Sequence, residues 1–571
     1  MKILIVGGVA GGMSAAARLR RLDEQAEIIV FERNRYVSFA NCGLPYHIGG
    51  DIKNRDSLLV ITPDQLRANL NINVRTGHMV TEIDRAEKTV KIIDLHTGRP
   101  YQEGYDKLVL AQGGAAVRLP LPGVDHPRIF TLQSLTDMDA IKAAVDGGSK
   151  HAVVIGGGYI GVEMTEALCQ RGLAVHLVEL QEQVMPPLDP EMATDLRYHM
   201  EFHGVTFHLG VSAQKFQDVS GRVQVTLSDD TTIKTDLVLM AAGVRAISGL
   251  AQHAGLAVGD LGGVAVNPHQ QTSDPDIYAV GDMVEVKNTI TDETAIIALA
   301  GPANRQGRIA ADHIKGRDSA YRSTQGTAIV KVFEMTGGGT GISEKQLRQR
   351  NQPYHKVYLH PSGHASYYPG TASMHMKLLF TPDEGKILGA QIVGFDGVDK
   401  RLDVLATAIR AGLTVYDLEH FELAYAPPYG SAKDPVNMAG FLATNLLRGD
   451  VQFWYPENYP DNTSSGTLLD VRTQNEHDTW HIPGSVHIPL RELRGRLDEL
   501  NDLPSPLYIY CLSGFRSYLA YRIAYQAGHA DCSTLAGGVK TFNSFHRTEL
   551  ATGERPKLFV SHAEDEMLIS I

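Results

Sequence analysis

The sequence predicts an α/β protein built from several domains. Two segments, 3–32 and 152–179, follow one design: an apolar run, a glycine-rich turn, a helix, and a second apolar run that ends in an acidic residue. They lie about 150 residues apart, which is too far for a stacked repeat. The 571 residues suffice for three or four domains of ~100–200 residues each. We therefore predict two Rossmann-like nucleotide-binding domains, followed by further domains.

Composition excludes some classes of function. The chain has 53 Lys plus Arg against 65 Asp plus Glu, a formal net charge of −12. A nucleic-acid-binding protein needs a basic surface, so no nucleic-acid partner is expected. No apolar stretch approaches ~18 residues, and the apolar run at 3–6 is too short for a signal peptide. We therefore expect no membrane partner and a cytoplasmic location.

The chain has four cysteines, which are Cys42, Cys169, Cys511 and Cys532. Four cysteines in 571 residues cannot form a disulfide scaffold. They suit a reducing compartment, in which a lone thiol is either core filler or a reactive centre.

The glycine turns are the strongest nucleotide signal. Such a turn lets the backbone approach a pyrophosphate, and the N-terminus of the next helix supplies N–H donors. The second turn is complete, with Gly156, Gly158 and Gly161, whereas the first has Val9 where the middle glycine usually stands. The acid that ends each unit can accept hydrogen bonds from a ribose. The carboxylate of Glu179 would repel a 2′-phosphate, which favours NADH over NADPH.

The later segments differ from these two. Residues 326–447 mix strands at 327–333, 377–380 and 387–393 with a helix near 401–411, an α+β pattern. Residues 448–465, rich in Pro, Asn, Asp and Ser, are interpreted as a linker. Residues 466–548 form a new α/β block, and 549–571 are a C-terminal extension without a clear pattern.

Three more segments complete a family pattern. They are a strand that ends in Gly281-Asp282, the strand at 105–113, and the strand at 240–245. With the glycine turns, they resemble the FAD-dependent pyridine nucleotide-disulfide oxidoreductases over residues 1 to about 447. The resemblance implies a discontinuous FAD-binding domain (1–112 and 245–325), an NADH-binding domain (113–244), an α+β dimerisation domain (326–447) and a homodimer. Gln112 stands where the family usually has Thr or Ser.

The resemblance also implies the cofactor contacts. FAD would lie on the first glycine turn, with Asp282 on the ribityl chain, and NADH would lie on the second. The implied cofactor-binding residues are Gly7, Gly8, Ala10, Gly11, Gly12, Glu32, Arg33, Asn41, Ala111, Gly113, Gly281, Asp282, Gly156, Gly158, Tyr159, Ile160, Gly161, Glu179 and Gly243.

Residues 38–45, Ser-Phe-Ala-Asn-Cys-Gly-Leu-Pro, contain one cysteine. A single thiol cannot form an internal disulfide, so Cys42 would be oxidised to a mixed disulfide or a sulfenate. The segment resembles the single-cysteine subgroup of coenzyme A-disulfide reductases, NADH oxidases and NADH peroxidases. We expect a helix N-terminus after Asn41 to lower the pKa of the Cys42 thiol. The alternative is a buried cysteine in a core loop.

Two features favour coenzyme A within this subgroup. Ala10 stands where the oxidases and peroxidases carry a His that assists oxygen or peroxide chemistry. Residues 366–370 and 424–429 resemble stretches of coenzyme A-disulfide reductases. By that resemblance Tyr367 and Tyr425 reach from the partner subunit toward Cys42, where one can hydrogen-bond or protonate the leaving thiolate. The alternative for each tyrosine is a packed aromatic.

A polar stripe on the first helix suits the phosphates of coenzyme A. Ser14, Arg18 and Arg21 are spaced four and three residues apart, which places them on one helix face. A solvated face with surface ion pairs is the alternative. The resemblance gives the coenzyme A-binding set as Ser14, Arg18, Arg21, Ser38, Asn41, Asn304 and Lys433.

Segments 468–472, 481–485, 507–517 and 535–538 together resemble one rhodanese domain over residues 466–548. An apolar strand ends at Cys511, and loop N–H groups with a helix near Ser517 would stabilise a thiolate or persulfide. Arg516 would add fixed positive charge. The loop lacks Lys, which favours an alkyl or coenzyme A persulfide over thiosulfate as the donor. An inactive module used only for contact is the alternative.

The other candidates are weaker. Cys532 is interpreted as core filler, with a resolving thiol as the alternative, and Cys169 as a packed helix residue. The histidines, His47 and His364 among them, show no ligand spacing, so no metal is predicted.

These observations predict a homodimeric flavoenzyme fused to a rhodanese domain. It would use NADH to reduce coenzyme A disulfide, coenzyme A persulfide or polysulfide at Cys42, while Cys511 handles sulfane sulfur. The alternatives are an NADH oxidase or peroxidase, and a non-catalytic flavin redox sensor or sulfur carrier. The sequence does not rank the sulfur substrates or decide whether Cys511 passes sulfur directly to Cys42.

Overall fold

The computed structural model describes residues 1–546, so the predicted C-terminal extension lies outside the described residues. The chain divides into two compact units. The first contains Met1–Glu182 and His203–Gly326, and the second contains Gln183–Phe202 and the chain from Thr327 onward. The expected α/β architecture is confirmed in both units.

The first unit contains two five-stranded parallel sheets. In spatial order the first consists of Ile277–Ala279, Lys107–Leu110, Lys2–Val6, Glu27–Glu32 and Asn73–Thr76. The second consists of Thr206–Leu209, Ala174–Glu179, His151–Ile155, Leu237–Met240 and Ile129–Phe130. The central strands are buried apolar runs, as parallel sheets covered on both faces require.

Smaller elements complete this unit. Two three-stranded antiparallel sheets consist of His78–Asp84, Thr89–Asp94 and Pro100–Gly104, and of Ala213–Val219, Arg222–Leu227 and Thr232–Thr235. The remaining strands are Gly114–Ala116 paired with Val244–Ala246, and Val264–Ala265, Val284–Lys287 and Thr294–Ala295. The α-helices are Ala10–Leu22, Leu44–Gly49, Pro63–Leu70, Leu135–Asp146, Tyr159–Gln170, Gly249–His253 and Ala300–Ile314.

The second unit contains an antiparallel sheet and a parallel sheet. The antiparallel sheet has the order Ala328–Val332, Met335–Gly341, Ile387–Gly394, Met374–Phe380 and His355–Leu359, close to the strands predicted there. Its helices are Pro190–Phe202, Glu344–Gln349, Val398–Ala411, Val415–Glu419 and Pro435–Leu447.

The parallel sheet corresponds to the C-terminal block. Its strands are, in order, Phe453–Trp454, Cys532–Leu535, Leu507–Tyr510, Thr467–Asp470 and Val486–His487. Its helices are Gln474–Thr479, Leu490–Leu493, Phe515–Gln526 and Gly538–His546.

The segment 183–202 departs from the predicted boundaries, which placed it within 113–244. It belongs to the second unit, where the fully buried Lys377 ammonium donates to Asp189 at 2.9 Å and to Glu191 at 2.5 Å. Asp189 also accepts the backbone N–H groups of Glu344 and Lys345, each at 3.0 Å. These long-range bonds leave no local sequence pattern.

Part of the predicted linker 448–465 is folded. Phe453–Trp454 is an edge strand of the C-terminal sheet, and the Trp454 ring is buried in a cluster with Ile482, Tyr510 and Phe542. A strand of two residues shows no periodicity, which is why composition alone indicated a linker. Among the described helices, none combines the length and apolarity that crossing a bilayer requires.

Candidate active site

Cys42 lies in a single 3-10 turn, Asn41–Gly43, directly before the helix Leu44–Gly49. The residue is partly exposed to solvent. The surrounding protein atoms raise the pKa of its thiol by desolvation, and the carboxylates of Glu163 and Asp282 raise it further. The protein groups around Cys42 therefore act against the expected lowering of its pKa, because burial and, after it, the two acids outweigh the backbone hydrogen bond at the turn.

Glu163 is a neighbour of the thiol that the sequence reasoning missed. Its Oε1 accepts a hydrogen bond of 3.2 Å from the Tyr46 hydroxyl, and burial raises the pKa of its carboxyl. Glu163 lies two residues after Gly161, on the first turns of the helix Tyr159–Gln170. An acid on the apolar side of that helix was the available signal.

The first glycine turn is built for close backbone approach. Gly7 has φ +111°, and a Cβ on it would lie 2.1 Å from the carbonyl oxygen of Ala111. A Cβ on Gly12 would lie 2.0 Å from the carbonyl oxygen of Gly7. Glu32 Oε2 accepts the N–H of Gly8 at 2.9 Å, so the carboxylate is fixed beside the turn.

The second glycine turn repeats this geometry. Gly156 has φ +107°, and a Cβ on Gly161 would lie 1.9 Å from the carbonyl oxygen of Gly156. Glu179 Oε2 accepts the N–H of Gly157 at 2.7 Å, and its Oε1 accepts the N–H of Gln181 at 2.9 Å. A Cβ on Gly158 would meet no described atom within 4 Å, so this face of the turn is open to a ligand.

Other predicted cofactor residues lie around the first turn. Ala10 and Gly11 begin the first helix, Arg33 is exposed after the second strand, and Gly281 has φ +85°. Burial raises the pKa of the Asp282 carboxyl.

The strand ends nearby add two more observations. The side-chain oxygen of Gln112 is buried without a hydrogen-bond partner among the described atoms, which fits a residue that faces a cofactor. Gly113 and Gly243 follow strand ends with φ +69° and +100°. Tyr159 and Ile160 begin the helix after the second glycine turn.

Two of the three residues in the polar stripe on the first helix already bond to other side chains of the protein. Ser14 Oγ donates to Asn304 Oδ1 at 2.5 Å, so these two predicted residues are brought together. Arg18 is paired with Asp312 at 2.7 Å, whereas Arg21 is exposed. Arg308 is exposed one turn after Asn304 on the helix Ala300–Ile314, so a further basic side chain lies on the same helix face as Asn304.

The remaining members of the coenzyme A-binding set lie on loops. Ser38 has φ +46° and is half-buried, and Asn41 is exposed beside Cys42. Lys433 is exposed in the second unit.

The two predicted tyrosines form a pair in the second unit. Their hydroxyl groups lie 2.9 Å apart, although Tyr367 is 70% and Tyr425 49% exposed. The hydrogen bond shared with Tyr425 raises the pKa of the Tyr367 phenol. A neutral Tyr367 phenol carries a proton that it can donate.

Cys511 is buried at the end of the strand Leu507–Tyr510. Its Sγ accepts the backbone N–H of Gly514 at 3.2 Å, and the helix Phe515–Gln526 begins there, two residues earlier than predicted. Arg516 was expected to add fixed positive charge, but it forms two hydrogen bonds of 2.7 and 2.6 Å with the Glu476 carboxylate. This pair leaves the loop with little net positive charge from Arg516.

The other two cysteines lie in packed positions. Cys532 pairs with Leu507 across the parallel sheet, four residues before Cys511 along the neighbouring strand. At ~3.3 Å per residue that offset is roughly 13 Å, well beyond the ~7 Å limit for a disulfide. Burial raises the pKa of Cys532 to about 11 and that of Cys169 to about 12. These observations favour core packing over a resolving thiol.

Comparison with known families matches three parts of the chain. Residues 1–307 match the pyridine nucleotide-disulphide oxidoreductase family, and 327–434 match the dimerisation domain of that family. Residues 456–544 match the rhodanese-like domain.

Similar proteins extend these matches. Coenzyme A disulfide reductase of Staphylococcus haemolyticus (strain JCSC1435) is 36% identical over 447 residues, which cover 78% of this chain and 100% of that protein. Reduced Bacillus anthracis CoADR-RHD superposes with a TM-score of 0.92 at 46% identity, covering 96% of this chain and 98% of that one. A NAD-dependent persulfide reductase from A. fulgidus gives 0.90 at 35% identity, with 95% and 100% covered. The water-forming NADH oxidase from Lactobacillus brevis gives 0.76 at 27% identity, with 79% and 99% covered.

Proposed function

From the premise that this chain belongs to the pyridine nucleotide-disulphide oxidoreductase family, we propose that it reduces coenzyme A disulfide and coenzyme A persulfide or polysulfide with NADH. Family membership makes it an oxidoreductase that uses FAD and NAD(H). The observation that carries the sulfur chemistry is a partly exposed thiol, Cys42, near the glycine turn and strand ends that hold the flavin in this family. The other three cysteines of the chain lie in half-buried or buried positions.

The residues around both glycine turns fit the two nucleotides. At Gly7 and Gly12 the neighbouring backbone leaves no room for a side chain, whereas Gly158 faces open space. Both features let a pyrophosphate approach the backbone of the turn closely. FAD, when bound there, would supply two-electron transfer from NADH to sulfur. Glu32 and Glu179, each fixed by backbone N–H groups, would accept the ribose hydroxyls.

Cys42 would act by thiol–disulfide exchange. Its thiolate attacks one sulfur of the substrate disulfide, which forms a Cys42 mixed disulfide and releases the first thiolate. Two electrons from NADH then break the mixed disulfide, which regenerates the Cys42 thiolate and releases the second. Each turnover therefore consumes one NADH and one proton and yields two thiols.

The tyrosine pair would supply protons. A neutral phenol can protonate a leaving thiolate, and the Tyr367 and Tyr425 hydroxyls lie 2.9 Å apart, close enough to pass a proton between them. We propose that this pair acts at Cys42 of a partner subunit in a homodimer, in a reducing cytoplasm.

Coenzyme A would be recognised by its phosphates. The proposed site uses Ser14, Asn304, Arg18 and the exposed Arg21, extended by Arg308. Ser38, Asn41 and Lys433 complete the expected set.

The rhodanese domain would carry one sulfane sulfur on Cys511. The Gly514 N–H that reaches the sulfur would stabilise a persulfide anion. Because Glu476 compensates Arg516, the loop offers little charge for the dianion thiosulfate. This supports an alkyl or coenzyme A persulfide as the donor.

The test is steady-state NADH oxidation without oxygen, with coenzyme A disulfide, coenzyme A persulfide or polysulfide as acceptor. Cys42→Ser should lose activity with every acceptor, whereas Cys511→Ser should keep coenzyme A disulfide reduction and lose sulfur transfer. Cys169→Ser is the matched control and should behave like the parent. Full activity of Cys42→Ser would refute the proposal.

Two further measurements separate the alternatives. Mass spectrometry of the purified protein should find coenzyme A or a sulfane sulfur bonded to Cys42. Rapid NADH-dependent oxygen consumption in the absence of any disulfide would instead favour an NADH oxidase. Ala10 argues against that activity, because the oxidases of the family carry a His at this position.

A further inference from the structure

Two loops carry the paired tyrosines. The first, at 361–374, is closed by backbone bonds from Gly363 to Ala372 and from Met374 to Pro361, each 2.9 Å. The second, at 420–434, connects two helices and has no regular structure apart from a turn at 426–430. Exposed loop side chains are ordinarily mobile, yet these two hydroxyls meet at 2.9 Å.

A buried ion pair underlies the second loop. The Arg401 guanidinium, 1% exposed, donates to Asp434 Oδ2 at 2.9 Å and to the carbonyl oxygen of Gly397 at 3.3 Å. Asp434 also caps the following helix, since its Oδ1 accepts the N–H of Val436 at 3.0 Å. The carboxylate therefore fixes the end of the loop to the start of that helix.

Lys400 bridges the turn of the same loop. Its ammonium donates to the carbonyl oxygens of Ala424 and Tyr429, each at 3.3 Å, and lies 3.7 Å from Asp434. It thus holds both ends of the segment that contains Tyr425.

The two loops are joined by one backbone bond. Ala365 N–H donates to the carbonyl oxygen of Gly430 at 2.9 Å, and Tyr368 N–H closes a turn onto Ala365 at 2.9 Å. Tyr367 lies inside that turn. The position of its hydroxyl relative to Tyr425 is therefore set by the conformation of 424–430, which Lys400 and Arg401 hold.

We propose that Lys400 and Arg401 are positioning residues that bring the Tyr367 and Tyr425 hydroxyls together through Ala424, Tyr429 and Asp434. The functional consequence rests on the proposed role of these tyrosines in protonating the leaving thiolate. Loss of the Lys400 bridge lets the 424–430 turn rearrange and separates the hydroxyls. The proton donor is then misplaced while the coenzyme A phosphate contacts on the first helix are untouched.

The test uses the full-length, FAD-loaded protein with 3-fluorotyrosine at position 367. Its 19F signal and titration midpoint report the hydroxyl pair without reference to activity. Lys400→Met is the main variant, because the Lys400 side chain is one-third exposed and its loss should be tolerated. Asp434→Asn is the second, because an amide oxygen can still cap the helix. Lys386→Met removes the same charge from an exposed lysine of the same unit.

We expect Lys400→Met, Asp434→Asn and the reference variant Tyr425→Phe to shift the 19F signal and lower the titration midpoint. We expect Lys386→Met to change neither. For coenzyme A disulfide reduction, Lys400→Met should lower kcat about tenfold with little change in KM. In the Tyr367→Phe background the same substitution should cause no further loss.

The outcomes are distinguishable. An unchanged 19F signal and midpoint in Lys400→Met and Asp434→Asn overturns the positioning proposal, whatever the rates. Equal losses of kcat in the parent and Tyr367→Phe backgrounds also overturn it, because the effect would then bypass the tyrosine. A shifted signal with an unchanged kcat upholds the positioning and refutes the proton-donor role in the proposed function.

Discussion

Replacing Lys377 by Met should destabilise the second unit strongly. The Lys377 ammonium is fully buried and donates to Asp189, Glu191 and Glu344 at 2.9, 2.5 and 2.6 Å. Removing one partner of a buried ion pair costs ~3–5 kcal/mol, because the opposite charges remain buried without compensation.

The structure places the cost near the lower end of that range. Glu344 retains the Lys356 ammonium at 2.8 Å, Glu191 retains the Tyr358 hydroxyl at 2.8 Å, and Asp189 retains two backbone N–H groups. With these partners left, we expect a loss of ~3 kcal/mol, which corresponds to a fall in Tm of roughly 6–12 °C. Circular dichroism during heating measures it, with Lys386→Met as the charge-matched control.

The Tm difference between Lys377→Met and the parent should depend on pH. Burial alone would raise the pKa of Glu344, but Lys377 and Lys356 hold it well below its usual range. In the parent this carboxylate contributes stability that is present above its unfolded pKa and is lost as pH falls through its folded pKa. In Lys377→Met the Glu344 carboxyl loses one of its two cations, so its pKa rises and its protonation relieves the repulsion. The Tm gap between variant and parent should therefore narrow from pH 8 to pH 5.

Two results would refute this reasoning. A Tm within about 2 °C of the parent at pH 7 would show that the three acids do not depend on Lys377. A gap that widens as pH falls would show that the acids are not the source of the instability.

Two further predictions concern the sites, and a third concerns a histidine elsewhere. Glu179→Ala should raise the KM for NADH by ~10–150-fold, which is the worth of one charge-assisted hydrogen bond, and should narrow the preference for NADH over NADPH. If steady-state kinetics show an unchanged preference for NADH, Glu179 does not bind the ribose. Glu163→Gln should lower the pKa of Cys42, read as an earlier rise of iodoacetamide labelling with pH, and no shift would mean that Glu163 is remote from the thiol. The third prediction lies outside these sites and concerns His360, which follows the strand His355–Leu359 and has its Nε2 2.8 Å from Thr541 Oγ1. Desolvation holds the pKa of His360 well below its usual value, so stability should fall as pH drops below ~6.5, by up to ~1.4 kcal/mol per pH unit. His360→Gln should flatten this slope in heat denaturation between pH 5 and 6.5, and an unaltered slope would assign it to other groups.

The parts of the fold that local patterns determine were predictable. The glycine turns were predicted because Gly7 and Gly156 require a positive φ, and because Gly12 and Gly161 must pack against backbone oxygens. These requirements act within a few residues and therefore appear in the sequence. The strands and the helix of the dimerisation domain were also predictable, because their residue patterns extend over a few neighbouring residues.

The parts that depend on distant partners were not predictable. The assignment of 183–202 follows from Asp189 and Glu191 meeting Lys377, nearly 190 residues away. The compensation of Arg516 by Glu476 spans 40 residues and cancels the positive charge expected for the loop. In both cases the sequence shows the charged residue, but it does not show which distant residue of opposite charge pairs with it.

The environments of Cys42 and Cys511, the two thiols proposed to react, favour different kinds of substrate. Cys42 is partly exposed on a short turn, so a bulky disulfide can reach it. Burial and nearby acids disfavour its thiolate, so a bound cofactor would have to offset them. Cys511 is buried, with a backbone N–H directed at its sulfur, so it suits a single additional sulfur atom. If this distinction is correct, a bulky alkylating reagent should label Cys42 much faster than Cys511, whereas a small persulfide donor should sulfurate Cys511. Equal labelling of both thiols by the bulky reagent would contradict the assignment of two separate roles.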